Sequence, residues 1–171
     1  MANERITEDI VRDHFKGDPL FSTIKFEEQK SFSKRVVELL QSASKSGKGI
    51  GKPEFIISFP SGNMDYLIVV ECKASCFGHR SADLNNPKDF AVDGVLHYAK
   101  RLSEQFDVVA IAVSGQTQQE LLTSHFVWRK GAVGYTELDD DKKLLPINNY
   151  IKLFNNEQFA DNLRNVDIIQ K

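Results

Sequence analysis

The sequence predicts an α/β domain in which helices flank a mixed central sheet. Two apolar runs, at residues 55–57 and 66–70, predict neighbouring buried strands that are joined by turn residues at positions 60–63. Between residues 90 and 106 apolar side chains recur at helical spacing, and the run 108–113 predicts another buried strand. A strand, a helix and a strand in this order favour a right-handed parallel crossover.

The chain before this unit predicts two helices. Thr7 is the predicted N-cap of the first, which has Ile10, Val11, His14 and Phe15 on one side, and residues 17–19 end it. The second is predicted over residues 28–44. Its buried stripe consists of Phe32, Val36, Leu39 or Leu40, and Ala43.

The chain after the unit has weaker patterns. A short helix over residues 118–122 and a strand around residues 125–128 complete the predicted core. Helices are predicted over residues 150–154 and 157–166. We therefore expect one domain, residues 1–171, with its core at about 24–130 and a helical connector at 131–171.

Composition is that of a globular protein. The chain has 171 residues, of which 41% are hydrophobic and 27% charged. No apolar run approaches the roughly 20 residues of a membrane span, and no signal peptide is evident. Two cysteines without a secretory context suggest the cytoplasm. The net charge of −2 lacks the basic surplus that is typical of free-standing DNA-binding domains.

Polar residues at the ends of the two central strands are the main functional signal. Glu54 stands at the start of the first strand, and Glu71 and Lys73 end the second, where side chains two residues apart share one face of the sheet and Cys72 points to the other. Clustered carboxylates favour a hard divalent ion, which can activate a water and polarise a phosphodiester. A nearby ammonium would orient the water and offset charge on the phosphate.

This order of residues resembles the PD-(D/E)xK superfamily of restriction endonucleases, and more narrowly the nuclease region at the N-terminus of restriction-modification proteins that carry an N6-adenine methyltransferase. Glu54 stands where the superfamily most often has Asp, and Gly94 stands where many relatives have Gln four residues before Tyr98. The segments that carry the resemblance are residues 25–30, 49–55, 71–73, 91–99 and 110–115.

The resemblance implies a restriction endonuclease-like core and a DNA endonuclease that depends on magnesium, for which manganese would substitute. Glu54 and Glu71 would hold the metal, Lys73 would position the water, and an acid of the preceding helix would complete the shell. Glu28 is the favoured candidate for that acid and Glu38 the alternative. The implied partners are double-stranded DNA, methyltransferase and specificity domains in the same or a partner chain, and a second copy in a homodimer. The resemblance also implies that the chain is the N-terminal part of a longer protein.

Two other functions stay open at this point. The same fold can serve as an inactive DNA-binding or assembly module, or as a repair or recombination nuclease that recognises DNA structure. The glycine-rich basic loop 44–52 lacks P-loop spacing, and it is either a flexible connection or a DNA-backbone contact through Lys45, Lys48 and Lys52. Gln116 is a further candidate for substrate contact.

Histidine and cysteine positions have simpler explanations. Cys72, Cys76 and His79 have no fourth ligand nearby, so zinc is disfavoured, and Cys72 is expected to pack as a small apolar residue. His97 and His125 are expected to be structural or exposed rather than general bases.

Overall fold

The computed structural model describes residues 3–47, 49–139 and 142–155 of the chain. Within these residues a six-stranded sheet has its strands in sequence order. Strands β3 and β4 are parallel, and the other neighbouring strands are antiparallel. The predicted mixed sheet is therefore confirmed. The strands are β1 (Lys25–Glu28), β2 (Phe55–Ser58), β3 (Tyr66–Lys73), β4 (Asp107–Ser114), β5 (Leu122–Trp128) and β6 (Thr136–Leu138).

Helices cover both faces of the sheet, so that it separates two apolar cores. The cores contain residues of α2 and α3 on one face, and residues of α1 and α4 on the other. Among the described residues, no helix has both the length and the apolar composition that a membrane span requires. The helices are α1 (Glu4–Lys16), α2 (Lys34–Leu40), α3 (Ala91–Leu102) and α4 (Ile147–Asn155), with 3-10 turns at Phe21–Thr23 and Cys76–Gly78.

The central unit of the sheet agrees with the sequence prediction. Strand β3 runs parallel to β4 along its whole length, from Tyr66 beside Asp107 to Lys73 beside Ser114, with α3 between them in the chain. Neighbouring residues of β3 alternate between the two cores, so Val69 packs toward α3 and Val70 toward α1. This alternation fixes the face on which the polar residues at the end of β3 lie.

The predicted helix over residues 28–44 is too long at both ends, since the structure has a helix only over α2 (Lys34–Leu40). Glu28 ends strand β1, and α2 begins at Lys34. The buried carboxylate of Glu27 accepts hydrogen bonds from the Ser31 hydroxyl, at 2.8 Å, and from the Phe32 amide, at 2.7 Å. These bonds hold the intervening residues in a loop and leave Phe32 75% exposed. The rest of the predicted stripe is buried, at Val36, Leu39, Leu40 and Ala43.

Helix α1 begins earlier than the sequence predicts. Its N-cap is Asn3, whose side chain accepts a hydrogen bond from the Arg5 amide, and Thr7 lies inside the helix. The Thr7 hydroxyl instead donates to the backbone carbonyl of Gly115, at 2.5 Å, which ties α1 to the end of β4. Of the four residues predicted on one side of this helix, Val11 and Phe15 are buried, whereas Ile10 and His14 are partly exposed.

The C-terminal half of the structure differs from the sequence prediction in two places. The predicted helix over 118–122 is wrong, because residues 118–120 form a turn and Leu122 begins β5 by pairing with Ser114. Strand β6 is not predicted, since three residues are too short to show a period. Helix α4 contains the predicted residues 150–154. Strand β6 pairs with β5 in the sheet, and α4 packs on one face of the sheet. The helix predicted over 157–166 lies outside the described residues.

Candidate metal centre

The candidate site lies where β2 begins and β3 ends. Because these strands are antiparallel, with Phe55 beside Val70, the residue before β2 lies next to Glu71. The backbone N–H of Glu54 donates to Oε1 of Glu71 at 3.0 Å. Cys72 is buried in the opposite core, so Glu71 and Cys72 lie on different faces as the sequence predicts.

Glu71 is a fully buried carboxylate with a partner on each oxygen. Oε1 accepts from the Glu54 amide, and Oε2 forms an ion pair with Nζ of Lys45 at 2.9 Å. Burial raises the pKa of Glu71, and the charges of Lys45 and Lys73 together with the Glu54 amide oppose this rise. Burial alone would lower the pKa of Lys45, but the attraction of Glu71 outweighs it and raises that pKa.

Two further acids reach the site from α1. Glu4 and Glu8 are one helical turn apart and so project from the same face of the helix. One carboxylate oxygen of each of Glu4, Glu8 and Glu54 lies within 4.8 Å of the other two. No other set of three His, Cys, Asp or Glu side chains comes this close within residues 3–47, 49–139 and 142–155. Glu71 is not a member of the group, because its oxygens point to Lys45 and to the Glu54 amide.

Burial and the neighbouring carboxylates raise the pKa of two acids of this group, Glu54 and Glu8. Burial, a side-chain hydrogen bond with Glu4 and the charges of Glu71 and Glu8 raise the pKa of Glu54 to about 9. Burial and the charge of Glu4 also raise the pKa of Glu8. A cation would remove this repulsion, and hard divalent ions prefer oxygen ligands. The donor set therefore fits magnesium or manganese.

Lys73 brings an ammonium to the same group of acids. Its Nζ donates to the backbone carbonyl of Lys88 at 2.7 Å and lies 4.0 Å from an oxygen of Glu4. The side chain is only 19% exposed. The ammonium is thus held at the rim of the acidic group by a fixed backbone contact.

Glu28 and Glu38 lie apart from this group. Arg12 binds the Glu28 carboxylate with both Nε, at 3.0 Å, and Nη2, at 2.6 Å, and these bonds lower the pKa of Glu28. Glu38 is exposed on α2. Sequence reasoning missed Glu4 and Glu8. The available signal was a pair of acids four residues apart on the helix that precedes the first strand.

The predicted DNA-binding residues have different surroundings. Lys45 lies in the site itself, whereas the Lys52 side chain is exposed and only its backbone amide is fixed, by the hydroxyl of Tyr98 at 3.2 Å. Gln116 accepts from the Asn3 amide at 3.3 Å through its side-chain oxygen. Lys48 lies outside the described residues.

The cysteine and histidine positions are structural. Cys76 Sγ lies 3.0 Å from the Glu120 carbonyl, and Cys72 is buried in the core that contains α1 and α4. Among the described residues, Cys72, Cys76 and His79 do not form a group whose ligand atoms lie close enough to hold one metal ion. His79 bridges the hydroxyls of Ser114 and Ser124, at 2.8 Å each, and burial lowers its pKa to about 4. The other three histidines pair with backbone or tyrosine, namely His14 with the Leu145 carbonyl, His97 with the Ala43 carbonyl and His125 with the Tyr150 hydroxyl.

Gly94 makes room for Glu71. A Cβ atom at this position of α3 would lie 2.9 Å from the Pro87 carbonyl oxygen and 3.2 Å from Oε2 of Glu71. We expect Gly94→Ala to lower the free energy of unfolding, because overpacking costs about 1–3 kcal/mol and the helix preference of Ala returns only about 1. Urea unfolding measures the change. Gly134→Ala is the control, since no heavy atom lies within 4 Å there. Equal unfolding midpoints for the two variants would contradict this packing argument.

Comparison with known proteins gives one informative similarity. Over 141 aligned positions the chain is 33% identical to RM.BcgI of Heyndrickxia coagulans, a protein named as a type II restriction enzyme and methyltransferase. The alignment covers 74% of this chain and 21% of that protein, so the chain spans about a fifth of its relative's length. No family model matches the chain, and no solved structure matches it. The similarity links the chain to restriction-modification proteins.

Proposed function

We propose that this chain is the metal-dependent DNA endonuclease domain of a restriction-modification enzyme, with a PD-(D/E)xK restriction endonuclease-like core. The observation that carries the proposal is the grouping of Glu54, Glu4 and Glu8 beside Glu71 and Lys73 at one end of β3. Four carboxylates and an ammonium lie together there, and burial and the neighbouring acids raise the pKa of Glu54. Groups with pKa values perturbed in this way cluster at functional sites.

Of the two activities named for the relative, the nuclease fits this chain better than the methyltransferase. Doubly wound folds bind nucleotide cofactors at the carboxyl ends of a mostly parallel sheet, at the point where the strand order reverses. A methyltransferase domain of this type would need such a reversal. The sheet here follows sequence order, and β3 and β4 are its one parallel pair within the described residues. The acidic group, by contrast, matches what phosphodiester hydrolysis requires.

In this proposal Glu54, Glu71 and an acid of α1 hold one magnesium ion, or manganese in its place. The bound ion supplies Lewis-acid activation of water and stabilises charge on the phosphate. Lys73 orients the attacking water, and its fixed hydrogen bond to the Lys88 carbonyl keeps the ammonium from swinging away. The water would lose a proton to solvent and form a new P–O bond, while the P–O bond to the leaving oxygen opposite it breaks and that oxygen takes up a proton, which gives a phosphate monoester and a free hydroxyl. Double-stranded DNA is the substrate.

The helix acid that completes the shell is expected to be Glu8 or Glu4 rather than Glu28. We expect Glu8→Gln to weaken Mn²⁺ binding by about ten-fold or more, the scale on which metal sites respond to changes around them. Glu28→Gln should change the affinity far less, because Arg12 already binds that carboxylate. Calorimetric titration with MnCl₂ measures both. If Glu28→Gln loses more Mn²⁺ affinity than Glu8→Gln, then Glu28 and not Glu8 is the helix acid that binds the metal.

Plasmid nicking tests the proposed function. The purified chain should convert supercoiled plasmid to open circles or linear DNA with Mg²⁺ or Mn²⁺, and EDTA should stop it. Binding of the plasmid without any cleavage would favour the inactive DNA-binding or assembly module. Preference for branched over linear DNA would favour a repair or recombination nuclease.

A further inference from the structure

Lys45 occupies a position on Glu71 that a metal ion would need. Its Nζ lies 2.9 Å from Oε2 of Glu71, and Oε1 is already held by the Glu54 amide. Glu71 does not belong to the group whose ligand atoms lie within 4.8 Å of one another, which among the described residues consists of Glu4, Glu8 and Glu54. Glu71 is 1% exposed in its side chain and Lys45 20%, so little water screens the pair.

We propose that Lys45 is an internal counter-ion that leaves Glu71 when a divalent cation binds, and that its departure lets Glu71 join Glu54 as a ligand. This inference rests on the proposed function and adds a regulatory step to the same site. The reason for exchange is electrostatic. An ion coordinated to Oε2 would lie within a few ångströms of the Lys45 ammonium, where like charges repel strongly in a buried site.

The loop that carries Lys45 has free space around two of its glycines. Its tip closes on itself through the amide of Ser44 and the carbonyl of Gly49, at 3.2 Å. Gly47 and Gly49 have φ values of +84° and +89°, and no described heavy atom lies within 4 Å of a Cβ built on either residue. A displacement of this part of the loop would therefore meet no described heavy atom beside Gly47 or Gly49.

The far end of the loop is anchored. The Gly51 amide donates to the Leu40 carbonyl at 2.7 Å, and a Cβ at Gly51 would lie 2.8 Å from the ring of Tyr98. The same ring lies 5.9 Å from Nζ of Lys45 and forms a wall beside the ion pair. A shift of the tip would carry Lys45 away from Glu71 while Gly51 and β2 stay in place.

Metal affinity of two matched lysine variants tests the exchange. Calorimetric titration with MnCl₂, without DNA, compares wild type with Lys45→Gln and Lys52→Gln, a lysine of the same loop that has no contact with Glu71. We expect Lys45→Gln to bind Mn²⁺ about ten-fold more tightly, because no ammonium has to be displaced, and Lys52→Gln to match wild type. Equal or weaker binding by Lys45→Gln, with normal binding by wild type, would overturn the inference alone. Absence of Mn²⁺ binding in all three proteins would overturn the proposed function as well.

A second measurement uses the wild-type chain, since Lys45→Gln leaves a buried carboxylate unpaired and could impair folding. Lysine acylation followed by mass spectrometry reports how accessible each amine is. We expect Mg²⁺ to raise the acylation rate of Lys45 by about ten-fold and to leave that of Lys52 unchanged, as a freed amine reacts and an ion-paired one does not. Protection of Lys45 that persists with Mg²⁺ would overturn the exchange.

Discussion

Lys73→Ala is expected to slow Mg²⁺-dependent plasmid nicking by about 100-fold or more. Removal of a group that stabilises charge in the transition state typically costs this much or more, and Lys73 is the ammonium held at the rim of the acidic group. Gel assays of supercoiled plasmid measure the rate under single-turnover conditions. Circular dichroism checks that the variant has kept its fold.

Lys130→Ala is the matched control for this variant. Lys130 is an exposed lysine close to the start of β4, where its backbone amide bonds to Asp107 at 2.9 Å. The start of β4 lies at the opposite end of the sheet from Lys73, so nicking should stay at the wild-type rate. Equal nicking by Lys73→Ala and Lys130→Ala would contradict the catalytic assignment of Lys73.

Glu54→Gln is expected to stabilise the metal-free chain while it weakens metal binding. The pKa of Glu54 is raised from 4.5 to about 9 in the fold, mainly by burial and neighbouring acids. The folded chain therefore holds a proton that the unfolded chain releases above pH 4.5. The stability that this bound proton contributes is fully present below pH 4.5 and is lost as the pH rises through about 9.

Melting curves from pH 5 to 9 measure this effect. In EDTA, the wild-type Tm should fall with rising pH more steeply than that of Glu54→Gln. At pH 8 to 9 the variant should melt roughly 2–4 °C higher, the shift that about 1 kcal/mol produces in a domain of this size. Addition of Mg²⁺ should raise the wild-type Tm and leave the variant nearly unchanged. Parallel pH curves for the two proteins would contradict the coupling among these acids.

The strands and α3 could be predicted from sequence because their signals are local. The apolar runs that form β2, β3 and β4 and the helical period of α3 need no information from distant residues. The neighbourhood of Glu54 and Glu71 also followed from local patterns, since a short hairpin places the start of one strand beside the end of the next.

The proximity of the α1 acids to Glu54 and the ion pair between Lys45 and Glu71 could not be predicted in this way. Glu4 and Glu8 reach Glu54 because Thr7 ties α1 to the Gly115 carbonyl, a contact across 108 positions that no local pattern records. The sequence predicts that Glu28 begins a helix, because apolar residues of its segment recur at helical spacing. Pairing of β1 with β2 and the hydrogen bonds of Glu27 override that local preference.

The most direct test of the whole account is the position of a bound metal ion. Crystals of the chain soaked in MnCl₂ should give an anomalous scattering peak coordinated by carboxylate oxygens of Glu54 and Glu71, with Lys73 nearby and Lys45 withdrawn. Manganese bound elsewhere, or bound by Glu4 and Glu8 with Glu71 still paired to Lys45, would contradict a catalytic metal centre at the end of β3.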